Sequence, residues 1–100
     1  MESELNIAEI LYHNGGPIHF RYTRYLSPQG DKWIRHGLFR AYHVNGQLSS
    51  EGYYTHGFEE GIWRDYHENG QLAAEGAYEK GQKVGKWKYW NSNGENEPTR

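Results

Sequence analysis

The sequence contains no cysteine, which excludes disulfides, thiolate metal sites and a cysteine nucleophile at once while leaving the redox compartment open. It has no long hydrophobic run: apolar residues make up 35% of the chain, and no stretch approaches the ~18 consecutive apolar residues of a membrane-spanning helix. The start, Met1-Glu2-Ser3-Glu4, has neither the basic nor the apolar region of an export signal, so a cytoplasmic location is the expectation. Charge of one sign is also missing. The formal charge of -2 is spread along the chain without an acidic or basic block, and nucleic-acid binding, which needs a concentrated basic face to neutralise phosphates, is not expected. Lys80, Lys83, Lys86 and Lys88 do gather near the end, but neighbouring carboxylates make them read as a solvated face.

What the chain does have is aromatic rings and an internal repeat. Aromatics supply 16% of the residues, with nine Tyr and four Trp. In 100 residues there is little room for a deep core, so buried area must come from these wide rings, a composition that favours sheet over helix. Gly37, Gly61 and Gly85 open successive copies of a 24-residue unit. Laying Gly37 to Glu60 over Gly61 to Val84 matches the Asn-Gly pair, a Tyr before it and the closing Glu-Gly. Such a period announces stacked supersecondary units, in which recurring residues build the unit and deviating ones are free for other work.

Each unit reads as a β-hairpin. In the second copy, Ile62 to His67 leads into Glu68-Asn69-Gly70, and Gln71 to Tyr78 resumes an alternating run. Asn-Gly between two strand-like runs predicts a type I′ turn, with positive φ at both central residues; the pair recurs at Asn45-Gly46 and Asn93-Gly94. Alternation places Leu72, Ala74, Gly76 and Tyr78 on one face. The small residues Ser50, Gly52, Ala74 and Gly76 leave room for a ring from a neighbouring strand to lie across the backbone, and Phe39, Trp63 and Trp87 are suitable rings. Trp63 and Tyr66, three apart, predict a bend or bulge that curves the sheet. A short Gly-bounded link after Tyr78 lets successive hairpins pair edge to edge, each advancing the sheet by about 10 Å.

The fold expected is therefore all-β: a single-layer antiparallel meander of tandem hairpins, forming a curved sheet. Residues 1–36 read as a divergent capping hairpin, with Glu2 to Glu9 either a strand or a short helix and Leu26 to Lys32 a long turn. Residues 37–100 hold the repeats, 37–60, 61–84 and a partial 85–100. From Gly94 onward the return strand degenerates into Glu95-Asn96-Glu97-Pro98, a charged, Pro-ended edge that discourages strand addition.

Candidate chemistry is sparse. His43 and His67 occupy equivalent places, but about 10 Å separates such positions, too far for two ligands of one metal ion. Glu51 and Glu75 are as far apart and have no accompanying nucleophile, so neither enzyme activity nor a cofactor is expected. Better site candidates are the positions that break the pattern: Tyr53 where the next copy has Ala77, Phe58 where it has Gln82, and Tyr89 with Trp90 where the earlier copies have Ala41-Tyr42 and Asp65-Tyr66. Tyr25 adds a further surface in the N-terminal insertion, and Arg40 and Arg64 supply cationic anchors.

The unit Gly61-x-Trp63-x-x-Tyr66-x-x-Asn69-Gly70-x-Leu72-x-x-Glu75-Gly76-x-Tyr78-x-x-Gly81 resembles the MORN repeat in its bacterial variant form. The copy from Gly37 to Gly57 has Phe39 in place of Trp. The resemblance covers about two thirds of the chain and implies the hairpin architecture. It also implies a role similar to that of small bacterial antitoxin or immunity proteins, which bind a cognate toxin or effector, with a lipid-binding or scaffolding module as the alternative. The motif carries no catalytic residue, and the oligomeric state stays open.

Overall fold

The computed structural model describes residues 4–98. Eight strands follow one another along these residues: β1 (Asn6–Leu11), β2 (Ile18–Leu26), β3 (Trp33–Tyr42), β4 (Leu48–Thr55), β5 (Phe58–Tyr66), β6 (Leu72–Glu79), β7 (Gln82–Trp90) and β8 (Asn96–Glu97). They form one antiparallel sheet in sequence order, an open layer of 47 × 37 × 15 Å. The N-terminal segment is strand rather than helix from Asn6 onward; Met1 to Ser3 lie outside the described residues. The boundary between residues 36 and 37 falls inside β3, so the capping hairpin and the repeats share a continuous sheet.

The two kinds of turn exchange the roles expected from sequence. The Asn-Gly loops are not type I′ turns: among their residues only the glycines, Gly46, Gly70 and Gly94, have positive φ. In the first, Gly46 N–H donates to the His43 carbonyl and His43 N–H to the Gln47 carbonyl, the pattern of a three-residue loop in which a type I turn is followed by a left-handed residue. The Asn45 side chain explains the preference, since its Oδ1 accepts from Gln47 N–H at 2.9 Å while its Nδ2 donates to the Glu68 carbonyl of the next loop at 2.9 Å. The type I′ turns are instead the links, His56-Gly57 and Lys80-Gly81, with φ of 46° and 92°, and 49° and 83°. Each left-handed non-glycine is held by a side chain from the strand two before the link's second strand, β3 or β5: His36 Nδ1 accepts from His56 N–H at 2.9 Å, and Glu60 Oε1 accepts from Lys80 N–H at 3.2 Å.

A bulge lies where expected, but its extra residue belongs to the return strand. The register skips Ser49 between Ala41↔Ser50 and Tyr42↔Leu48, and Ala73 between Asp65↔Ala74 and Tyr66↔Leu72. β5 is unbroken there, so alternation keeps Trp63 and Tyr66 on opposite faces. A second irregularity explains the repeated glycine. Between Glu51↔Arg64 and Tyr53↔Glu60, three residues of β5 oppose Gly52 alone, and Gly61, with φ of 78°, takes the backbone through that excursion. The same three-against-one pattern recurs around Gly37 and Gly85. Bulges recurring at fixed levels bend the sheet as each hairpin is added.

The core sits on one face. Phe39, Ala41 and Trp63 are its buried members, with Phe20, Tyr22, Tyr54, Tyr78 and Trp87 packed around them. The Trp63 ring lies across Gly52 and the Trp87 ring across Gly76, where a Cβ would fall inside the indole. Each indole N–H is satisfied by a carbonyl of the preceding hairpin, Tyr53 at 3.1 Å and Ala77 at 3.2 Å. Tyr54 and Tyr78 meet Trp63 edge-on, with centroids 5.3 and 5.9 Å away, contacts worth about 0.5–1.5 kcal/mol each beyond area burial.

Candidate binding face

The face opposite the aromatic core carries a row of charges that the register links across seven strands: Glu9, Arg21, Arg40, Glu51, Arg64, Glu75 and Lys88. Directly paired residues point to the same side, and three of the contacts close as ion pairs: Arg21–Glu9 at 3.2 Å, Arg40–Glu51 at 3.1 Å and Arg64–Glu75 at 2.7 Å. Hydrogen bonds to Glu51 and to Glu75 are the main reason that the Arg40 and Arg64 guanidinium groups are held above their ordinary pKa.

Two residues along β1, β3, β4, β5 and β6 from this charged row stands an apolar side chain, and on β7 Val84 stands four residues from Lys88. Leu38 pairs with Tyr53, Ile62 with Ala77, and Ala77 in turn with Val84; Ile7, two residues from Glu9, extends it onto β1. Ile7 is 57% exposed, Tyr53 58% and Ile62 52%, while Leu38 and Ala77 are half-buried. Apolar side chains held open on a sheet and bordered by alternating charge form a candidate binding surface.

The residues singled out from sequence do not converge on one site. Tyr53, Arg40 and Arg64 share the charged face, with both arginines engaged by glutamates. Tyr89 is opposite Ala74 on the aromatic face, while Trp90 lies on the other side of β7 and its carbonyl accepts from His67 Nε2 at 2.7 Å. His43 Nε2 makes the same bond to the Tyr66 carbonyl at 2.8 Å, so both histidines tie one hairpin tip to the next. Tyr25 is hydrogen-bonded through its hydroxyl to His56 Nδ1 at 2.8 Å, in a cluster where the His36 and His56 rings lie 4.5 Å apart.

Phe58 has a packing task that the two-copy comparison hides. It lies against the link of the next hairpin, where a Cβ on Gly81 would come within 3.0 Å of its Cδ1. Ile34, one period earlier, stands in the same relation to Gly57. Gln82 breaks the series where no further link follows among the described residues.

Sequence reasoning missed Leu38 and Ile62, whose partners across the sheet become apparent only from the register. It also missed Arg35, which lies on the aromatic face over Tyr22 at 4.9 Å and Tyr54 at 5.4 Å and donates to the Tyr54 hydroxyl at 3.2 Å. A signal was present for both: Leu38 and Ile62 each follow a repeat glycine, and Arg35, Glu59 and Lys83 are one period apart. Among the described residues no group of three or more His, Cys, Asp or Glu side chains is placed to hold a metal ion.

No curated protein and no solved structure matches the chain. Repeats of the MORN kind are typically protein- or lipid-binding modules. The sequence profile of the MORN repeat variant matches residues 35–56 and 59–80, the two stretches in which the hairpin, its link and its glycine excursion recur, so these two stretches are similar to MORN variant repeats and lie within a larger continuous sheet.

Proposed function

We propose that the protein is a non-enzymatic, cytoplasmic protein-binding module, and most concretely an antitoxin or immunity protein that neutralises a cognate toxin by covering its active surface. The observation that carries the binding reading is the set of exposed apolar side chains Ile7, Tyr53, Ile62 and Val84, with half-buried Leu38 among them, beside charges of both signs. A protein partner with an apolar ridge and complementary charges can fill such a surface, the apolar row giving affinity and the charged row register. An anionic bilayer would be served better by a face of one sign, which makes lipid binding the second reading. The antitoxin form rests on the likeness of the repeat pattern to that of small bacterial proteins with this role.

The test pairs the chain with the product of its neighbouring reading frame. Co-expression is expected to relieve that product's toxicity and to yield a stoichiometric complex independent of lipid. Tyr53→Asp with Ile62→Asp, both at exposed positions, is expected to abolish complex and rescue while leaving the melting temperature within a few degrees. Rescue that survives the double substitution would remove this face from the proposal. A chain that neither binds nor rescues, yet floats with anionic vesicles in a salt-dependent way, would replace the antitoxin reading with the lipid one.

A further inference from the structure

Four Asn-Gly pairs stand in the chain, Asn14-Gly15, Asn45-Gly46, Asn69-Gly70 and Asn93-Gly94, each at an exposed hairpin tip. By local sequence they are alike in their susceptibility to one reaction, attack of the glycine nitrogen on the asparagine side-chain carbon. The structure holds them unequally. Asn45 Oδ1 accepts from Gln47 N–H at 2.9 Å, its Nδ2 donates to the Glu68 carbonyl at 2.9 Å, and Gly46 N–H donates to the His43 carbonyl at 2.9 Å. Asn69 repeats the set with Gln71 N–H at 3.0 Å and the Ser92 carbonyl at 2.7 Å, while Gly70 N–H donates to the His67 carbonyl at 2.9 Å.

The third tip keeps only the glycine bond, from Gly94 N–H to the Asn91 carbonyl at 2.9 Å. Glu95 N–H, which stands where Gln47 and Gln71 stand in the earlier tips, donates to Asn91 Oδ1 at 3.0 Å, and the Asn93 side chain has no hydrogen bond among the described residues. The N-terminal tip keeps neither. There Gly16 rather than Gly15 donates to the His13 carbonyl, at 2.8 Å, so Gly15 N–H has no hydrogen bond among the described residues. Asn14 is bonded there only through its main-chain carbonyl, to His13 Nδ1 at 3.3 Å, and a Cβ at Gly15 would meet nothing within 4 Å.

We infer that Asn14 is a site of spontaneous covalent modification, deamidation with isoaspartate formation, and that the hydrogen bonds between successive tips guard Asn45 and Asn69 against the same reaction. The Gly15 nitrogen, giving its proton to solvent, bonds to Asn14 Cγ; the Cγ–Nδ2 bond breaks, ammonia leaves and a succinimide ring closes. Water then opens the ring at either carbonyl, leaving aspartate or isoaspartate at position 14, so one water is consumed and one ammonia released without any redox change. Attack requires the two atoms within about 3–3.5 Å and correctly oriented. A free side chain at an exposed tip samples that geometry, and one held at both its oxygen and its nitrogen does not. At Asn45 the product would also lose its bond to the Glu68 carbonyl, because a carboxylate only accepts. At Asn14 no hydrogen bond is lost and the tip gains a negative charge. The site does not depend on the toxin reading, so failed growth rescue would leave it intact.

The test incubates the intact 100-residue protein in mildly alkaline buffer and maps aspartate and isoaspartate at the four positions by mass spectrometry over time. In the folded protein Asn14 is expected to convert first and Asn93 next. Asn45 and Asn69 are expected to convert about tenfold or more slowly than Asn14, because their hydrogen bonds must open before attack. In urea the four rates should converge. Asn14→Gln, whose longer side chain disfavours ring closure, should remove the leading product and leave the other three rates and the melting temperature unchanged. Any of the other three converting as fast as Asn14 in the folded protein, or a rate order that persists in urea, would overturn the inference.

Discussion

At the scale of single residues, the tightest constraint is the contact between Trp63 and Gly52. Any side chain at position 52 competes with the indole for one volume, so Gly52→Ala is expected to cost about 2–3 kcal/mol in urea unfolding, at the upper end for overpacking. Because the cost arises from a shared volume, Gly52→Ala combined with Trp63→Ala should be far less than additive. Tyr78 gives a pH signature. Burial, reinforced by the Glu59 and Asp65 carboxylates, raises its hydroxyl pKa above the ordinary value. A pKa higher in the folded than in the unfolded chain means that the contribution is complete below about pH 10 and is lost as pH rises through the folded value. Unfolding curves on either side of that pH should show stability falling on the alkaline side, and Tyr78→Phe should flatten the fall. Small residues and rings facing each other were readable in sequence as complementary shapes; which glycine receives which ring was not, because the ring crosses to the preceding hairpin.

At the scale of elements, the turns show how a local signal can locate a structure and misname it. Asn-Gly marks the hairpin tips correctly. Its type is decided by the neighbouring repeat, because the Asn45 and Asn69 side chains donate to the carbonyls of Glu68 and Ser92 in the following loops. The left-handed pair falls to His56-Gly57 and Lys80-Gly81, whose first residues are not ones a turn propensity would choose. Lys80 carries a left-handed backbone without local compensation from its own side chain, so Lys80→Asn is expected to stabilise the hairpin by up to about 1 kcal/mol, measured as a raised urea midpoint with unchanged slope. His56 is a poor place for the same substitution, since its ring is bonded to Tyr25.

At the scale of the whole molecule, the chain behaves as an array, with every strand contacting its sequence neighbours in one layer. Removing residues 61–84 joins Glu60 to Gly85 in frame and brings Tyr54 beside Trp87 as it now stands beside Trp63. The shortened protein is expected to remain a monomeric β-protein by circular dichroism, with a lower melting temperature because one set of ring contacts and one ion pair are gone. An unfolded or aggregated product would show that the units are not interchangeable. The sequence by itself determined the period, the hairpins, the antiparallel order and the separation of recurring from deviating positions, because these follow from local turn chemistry and nearest-neighbour pairing. Only the tertiary structure decided the turn types, the charged row that engages Arg40 and Arg64 and the exposed apolar side chains beside it. Each of these depends on which residues face one another across strands, and bulges of unequal length reset that register in ways that spacing along the chain does not record.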